Sequence, residues 1–408
     1  MAVALSLSGA SAQTGARPAA PATTLLYGTF NDAWLAATVD RWADSGFGGF
    51  IVPSYVQWFS SAADLEAHRP HLTDLARGGA RYGVTENFIA IQLAATRYDD
   101  GRGLPAWQDE LGWQAVLVNF ERIAEFARTT GMRGIALDTE HYGSHLWDAR
   151  HARNDRLPKH VLERIVHERG KRLMQAFRHA FPGLQVILLQ EGAFWWVAQA
   201  DAEYELWPAF FNGLASDRPQ PGIVVATEST YPERDLLRLM NRDPGAFIRQ
   251  RASQIEAAIA SIAEFPEYWK SDGSLAVGMW PLGVTYADKS ARYRPEVFSG
   301  QLDAARSASG RYVWVYSHGN AWWRMTPPEV VSFSEAPWHY TFDKPSQIAP
   351  MDPAAKDYSA IVRRAARARG ATPTPNRRRP GRGPPAAVSR RRSPASREAP
   401  TPMMRCAA

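Results

Sequence analysis

The chain has 408 residues, 45% hydrophobic and 22% charged, a composition that suits one large barrel or two average domains. Thirteen Arg and a single acid, Glu398, fall in residues 361–408, so the first 360 residues carry 34 basic against 40 acidic groups and the net +6 belongs to the tail. No basic stripe interleaved with aromatics runs through the body, which argues against nucleic acid as a partner; the only cysteine, Cys406, is in the tail, so disulfides, Cys-ligated zinc and a cysteine nucleophile are excluded from the body, and no run of about 18 apolar residues exists to span a membrane.

Residues 1–22 open on a short apolar stretch ending in Ala10-Ser11-Ala12, followed by Ala/Pro-rich sequence. They read as a signal-like or disordered leader without the usual basic start, and the expectation is a secreted or periplasmic protein. Residues 23–369 form the expected barrel domain, and between Thr24 and Asn320 a unit recurs in which a short β-rich apolar run ends in polar or aromatic residues and is followed by a longer amphipathic stretch. The strands expected are Leu25–Phe30, Gly48–Pro53, Phe88–Leu93, Arg133–Glu140, Leu184–Glu191, Gly222–Glu228, Leu275–Trp280 and Arg311–His318. Helical spacing is clearest in Trp113–Thr130, Val161–Ala180 and Phe247–Ala263, with Pro158 and Pro232 where helices would start and Gly131 and Gly183 where they would stop. Eight strand–helix units predict a parallel sheet closed into a single (β/α)8 TIM barrel. An open doubly wound sheet is the rival, and no G-x-G-x-x-G follows any strand. Residues 370–408 are Arg, Pro, Ala and Ser with almost no large apolar side chain, which predicts a disordered tail.

In such a barrel the chemistry sits at the C-terminal ends of the strands. The first strand leads into Asn31, Asp32 and Trp34, the second into Tyr55 and the third into Gln92. The fourth ends in Asp138-Thr139-Glu140-His141-Tyr142, the fifth in Glu191 with Trp195 just beyond, and the sixth in Glu228 with Tyr231 after it. The seventh ends in Trp280, and the eighth in Tyr316 and His318 before Asn320, Trp322 and Trp323. Side chains on a strand alternate between faces. With Ile135 and Leu137 toward the helices, Ala136, Asp138 and Glu140 point to the barrel axis; the same parity turns Trp314, Tyr316 and His318 inward and gives Glu191 and Glu228 interior positions. Four acids on one mouth repel and raise one another's pKa, the arrangement of a metal site, a shared proton or acid/base chemistry. Asp32 also suits the N-cap of the following helix, and His318 a satisfied core position. Nine tryptophans (Trp34, Trp58, Trp107, Trp147, Trp195, Trp196, Trp280, Trp322 and Trp323) fall at strand ends or in the loops beyond and read as stacking platforms for sugar rings.

The stretch Arg133-Gly134-Ile135-Ala136-Leu137-Asp138-Thr139-Glu140 resembles the fourth-strand signature of chitinase-type glycoside hydrolases, an apolar strand ending in Asp-x-Glu. The resemblance implies that Glu140 is the general acid, that Asp138 orients a substrate acetamido group, and that Tyr231 is the counterpart of a helper tyrosine. The family's earlier aspartates are here Arg133 and Ala136, so the kinship is with TIM-barrel glycoside hydrolases broadly. The large group with its nucleophile on the seventh strand is disfavoured, since Trp280 stands there and no acid does.

The leading expectation is therefore hydrolysis of a glycosidic bond by two carboxylates, Glu140 as acid and Glu228 or Glu191 as the second, with a carbohydrate as partner and no cofactor or metal. Two alternatives stay open. A divalent-metal isomerase or lyase would hold its ion on Asp138, Glu191 and Glu228 with His318 as base, and a non-catalytic carbohydrate-binding barrel would keep the platform without a working acid.

Overall fold

The computed structural model describes residues 22–28, 32–52, 56–94, 103–151, 154, 157–231, 243–280, 294–317 and 355–367. The leader before residue 22 and the tail from residue 370 lie outside these, as does the helix start expected at Pro232. The elements run β1 (Thr23–Gly28), α1 (Asp32–Ala43), β2 (Gly49–Val52), α2 (Ala62–Tyr82), β3 (Phe88–Gln92), α3 (Glu110–Thr129), β4 (Gly134–Asp138), α4 (Lys159–Ala180) and β5 (Gln185–Leu189). They continue with α5 (Gly192–Gln199), α6 (Trp207–Ala215), β6 (Val224–Thr227), α7 (Pro244–Ile262), α8 (Pro266–Asp272), β7 (Ser274–Met279), α9 (Pro295–Ala308), β8 (Tyr312–Ser317) and α10 (Ala355–Arg367). Strands β1 to β8 pair in chain order, all parallel, and β8 closes on β1 with Leu25 opposite Trp314 and Tyr27 opposite Tyr316. The fold is a (β/α)8 TIM barrel. Among the described residues no helix is long and apolar enough to cross a membrane.

Each expected strand is present, and most stop one or two residues short of the apolar run. At β4 the cause is visible: Asp138 is the last residue paired with β5, Thr139 still donates its N–H to the Leu189 carbonyl, and Glu140 turns its N–H onto Asp138 Oδ1 at 3.0 Å. The strand ends where a side chain takes over the backbone donor. Helix starts are fixed in the same way by local acceptors. Ser61 and Asp64 form a reciprocal capping box on α2, Asp109 accepts the Gly112 N–H ahead of α3, and Asp243 accepts that of Ala246 ahead of α7.

The barrel interior is built from alternate residues, with Leu25, Ile51, Phe88, Ala90, Ala136, Ile187, Leu189, Val224, Ala226, Ala276, Tyr312 and Trp314 in one buried cluster. Ile135 and Leu137 belong to the other cluster, between sheet and helices. Large rings on β8 are accommodated by small residues across the axis and alongside. At Gly278 an added Cβ would stand 2.1 Å from the Thr227 carbonyl oxygen and 2.8 Å from the Trp314 indole. Gly278→Val is accordingly expected to lower stability by about 3 kcal/mol or more, read as a fall in the urea midpoint, because neither backbone nor a buried indole can give way cheaply.

The helical layer absorbs several of the tryptophans expected at the mouth. Trp107 and Trp147 are fully buried, packing with Trp113 and Phe210 at ring separations of 4.9 to 6.0 Å, and Trp58 is 8% exposed. All three are core residues, and the indole N–H groups of Trp107 and Trp147 donate to the Leu146 and Thr139 carbonyls. A strand-end loop that must bury its own backbone recruits indoles for this, since each supplies apolar area and one donor. Helix α10 packs beside α9 and β1, burying Tyr358, Ile361 and Val362, with Tyr358 5.5 Å from Phe298.

Candidate active site

The C-terminal mouth gathers the four acids that alternation turns inward. Asp138, ending β4, is 3% exposed and accepts the Glu140 N–H at Oδ1 and the Tyr142 hydroxyl at Oδ2, 2.7 Å away. Gln92, its neighbour in register at the end of β3, also hydrogen-bonds it. Glu191, two residues past β5, is fully buried. Its two oxygens accept the successive backbone N–H groups of Glu228 and Ser229, both at 2.7 Å, so this carboxylate pins the turn that follows β6. Glu228, first residue of that turn, is partly exposed, and its carboxyl takes no hydrogen bond from the described residues.

Burial raises the pKa of all four. The Asp138 carboxyl is pushed up to about 7, opposed by the Glu140 N–H, Tyr142 and Gln92, and raised further by the Glu140 charge. Glu228 is driven well above the usual carboxylate range, by burial first and then by Glu140, Asp138 and Glu191. Glu140 is raised by burial and by Glu191, with Tyr142 and His141 acting the other way; Glu191 is raised by burial against its backbone donors. Among the described residues no Lys or Arg forms an ion pair with any of them. Four carboxyl groups that feel one another in a low-dielectric mouth each disfavour the ionisation of the others.

An aromatic wall lies against the acids. Tyr231 stacks on Tyr316 with centroids 6.2 Å apart, and Trp280 meets both edge-on at 5.7 and 5.2 Å. Trp314 lies beneath, 5.6 Å from Tyr231 and 5.8 Å from Tyr27. Tyr27 feels Asp138, Glu228 and Glu140, and its hydroxyl is pushed well above the usual tyrosine value. The expectation of a first strand running to Phe30 passes over Tyr27 in favour of residues past Gly28. Parity from the buried Leu25 would have pointed to Tyr27 instead.

The other expected site residues divide. His141 and Tyr142 belong to the mouth. His141 accepts the Gly143 N–H at Nδ1 and reaches Glu203 through Nε2 at 2.9 Å. Trp195, on α5, is partly buried and stacks loosely on Tyr204, whose hydroxyl donates to Gln190 Oε1 at 2.8 Å. Glu203, Tyr204 and Gln190 carry no motif that would single them out; only the folding back of the segment after β5 brings them to the fourth-strand loop. Asp32 lies in the first turn of α1, buried, with its carboxylate 2.9 Å from His68 Nδ1 of α2, a pairing that engages it between two outer helices. Asn31, Tyr55, His318, Asn320, Trp322 and Trp323 lie outside the described residues, as does the side chain of Trp34. Among the described residues no three His, Cys, Asp or Glu side chains are grouped to hold a metal ion.

Fold and mouth together define a (β/α)8 barrel with a cluster of four acids beside an aromatic wall. No family model matches the sequence, and no curated protein matches it. In structure the chain is similar to a glycoside hydrolase family 5 enzyme from Prevotella bryantii B14, at 10% identity over 83% of this chain and 86% of that one, TM-score 0.47. It is also similar to the β-mannanase of the blue mussel Mytilus edulis (10% identity, 70% and 78% covered, TM-score 0.40) and to triosephosphate isomerase from Bartonella henselae (12%, 74% and 92%, TM-score 0.34). At this distance no residue role passes from those proteins to this chain.

Proposed function

We propose that the protein hydrolyses a glycosidic bond, using Glu140 and Glu228 as its two working carboxylates. The observation that carries the reading is the mouth itself, where acids from three successive strands gather beside rings suited to the flat faces of a sugar. Glu228 is the better candidate for the acid. It is the more strongly raised of the two and takes no hydrogen bond from the described residues, which favours its protonated form as the donor to a leaving group. Glu140, which Tyr142 and His141 favour in its charged form, then serves as base or nucleophile. This exchanges the role that the fourth-strand signature implies for Glu140. Glu191, with both oxygens on backbone N–H groups, positions Glu228 and does not face the substrate as a free base. Asp138 lies beneath the pair as a hydrogen-bond acceptor.

The test is a screen of aryl glycosides and polysaccharides with and without chelator. Turnover that survives chelation is the expected result. Turnover abolished by chelation and restored by Mg²⁺ or Mn²⁺ would point to the metal-dependent alternative, binding without turnover to the non-catalytic one, and neither binding nor turnover would end the carbohydrate reading.

A further inference from the structure

Tyr142 stands four residues past Asp138 with φ of +44°, in the left-handed region that costs a residue bearing a Cβ about 1–3 kcal/mol. Gly143 and His145 are left-handed too, at +72° and +54°. The conformation is imposed from both sides. The Glu140 N–H is tied to Asp138, the Gly143 and Ser144 N–H groups are tied to His141, and His141 is anchored by Glu203. What this arrangement secures is polar: the phenol donates to Asp138 Oδ2 at 2.7 Å and also holds a hydrogen bond with Glu140, while Tyr142 itself is 54% exposed. A ring left half in solvent gains little by packing, so burial does not offset the backbone strain. A hydroxyl is thus delivered to a nearly buried carboxylate, at the mouth of the barrel, by a residue whose ring stays half in solvent.

We propose that Tyr142 is a resident surrogate for a ligand hydroxyl: a polyhydroxylated ligand places its own O–H on Asp138 Oδ2, displaces the phenol, and lets the strained turn relax. A Cβ added at Gly143 would meet nothing within 4 Å, so the turn has room to move. Asp138 then selects ligands with a hydrogen-bond donor at that position and rejects the same sugar with that hydroxyl methylated. The oligosaccharide half of the test rests on the glycosidase reading; the surrogate role does not.

Two variants of the full chain, Tyr142→Gly and Tyr142→Phe, decide it. A displaceable surrogate contributes nothing to the fold, so the Tm of Tyr142→Gly should equal or exceed that of the natural chain; a fall of more than about 5 °C makes the ring part of the structure and overturns the proposal. At pH 8, tryptophan fluorescence titrations with cello-, manno- and xylo-oligosaccharides should show Tyr142→Phe binding about 3- to 10-fold tighter than the natural chain, because no protein hydroxyl competes for Asp138. Unchanged or weaker binding overturns it. If no oligosaccharide binds either protein while Tyr142→Gly keeps its Tm, the carbohydrate reading falls and the surrogate role stands for a hydroxyl-bearing ligand of another class.

Discussion

Glu228→Gln is expected to slow hydrolysis of alkyl or glycosyl glycosides by about 10³-fold, the scale on which a positioned general acid contributes. Gln keeps the volume and one acceptor but holds no transferable proton, and it removes the charge coupling that ties Glu228 to Glu140, Asp138 and Glu191. The loss should depend on the leaving group. A dinitrophenyl glycoside departs without protonation, so the variant should retain most of its activity there, and binding of the sugar should change little. Glu140→Gln should behave differently, losing turnover on both kinds of substrate because the attacking or water-activating carboxylate is gone. Steady-state kinetics on the two substrates separate these roles; equal activity of both variants and the natural chain would remove the assignment.

Asp138→Asn is expected to make the protein more stable at pH 8 and no more stable at pH 4. In the folded chain the Asp138 carboxyl sits at about 7 against the ordinary 3.8, so the native state holds a proton that the unfolded state has already released. Stability from this group is therefore fully present below the unfolded value and is lost as pH rises from about 4 through about 7. A shift of this size corresponds to about 4 kcal/mol at pH 8, an upper bound because the mouth can relax around the charge. Asn keeps an acceptor for the Glu140 N–H, presents an amide to the Tyr142 oxygen, and is neutral throughout. Urea midpoints of the two proteins should converge near pH 4 and separate with rising pH. Parallel curves would show that Asp138 is ionised in the fold at little expense. Glu140, Glu191 and Glu228 are raised in the same sense, so a smaller downward slope should persist in the variant. A mouth designed for packing alone would not carry four such groups; their retention at a cost in stability is the pattern of a functional site.

Much of the architecture was legible in residue order. The eight apolar runs, their helical partners and the inward parity of Asp138, Glu140, Glu191, Glu228, Trp314 and Tyr316 follow from periods of two and 3.6, which act within a few residues. The tryptophans show where that reading fails. Position at a strand end did not distinguish Trp280, which stands against Tyr231 and Tyr316, from Trp107 and Trp147, which are sealed into the helical layer. The difference depends on Phe210 and Trp113 arriving from α6 and α3, and spacing around each indole says nothing about those visitors.

The amino-acid sequence alone determined that the chain makes a barrel and that four acids point toward its axis, because alternation along a strand is enforced by local stereochemistry. Only the tertiary structure decided what each acid can do. Glu191 and Glu228 have the same residue type and the same parity, yet one is held on two backbone N–H groups and the other, among the described residues, on none. Asp138 receives its Tyr142 donor through a left-handed turn anchored by Glu203, more than sixty residues further along. Solvation and hydrogen-bond donors set a carboxyl group's charge, and both are supplied by segments that meet only when the ring closes.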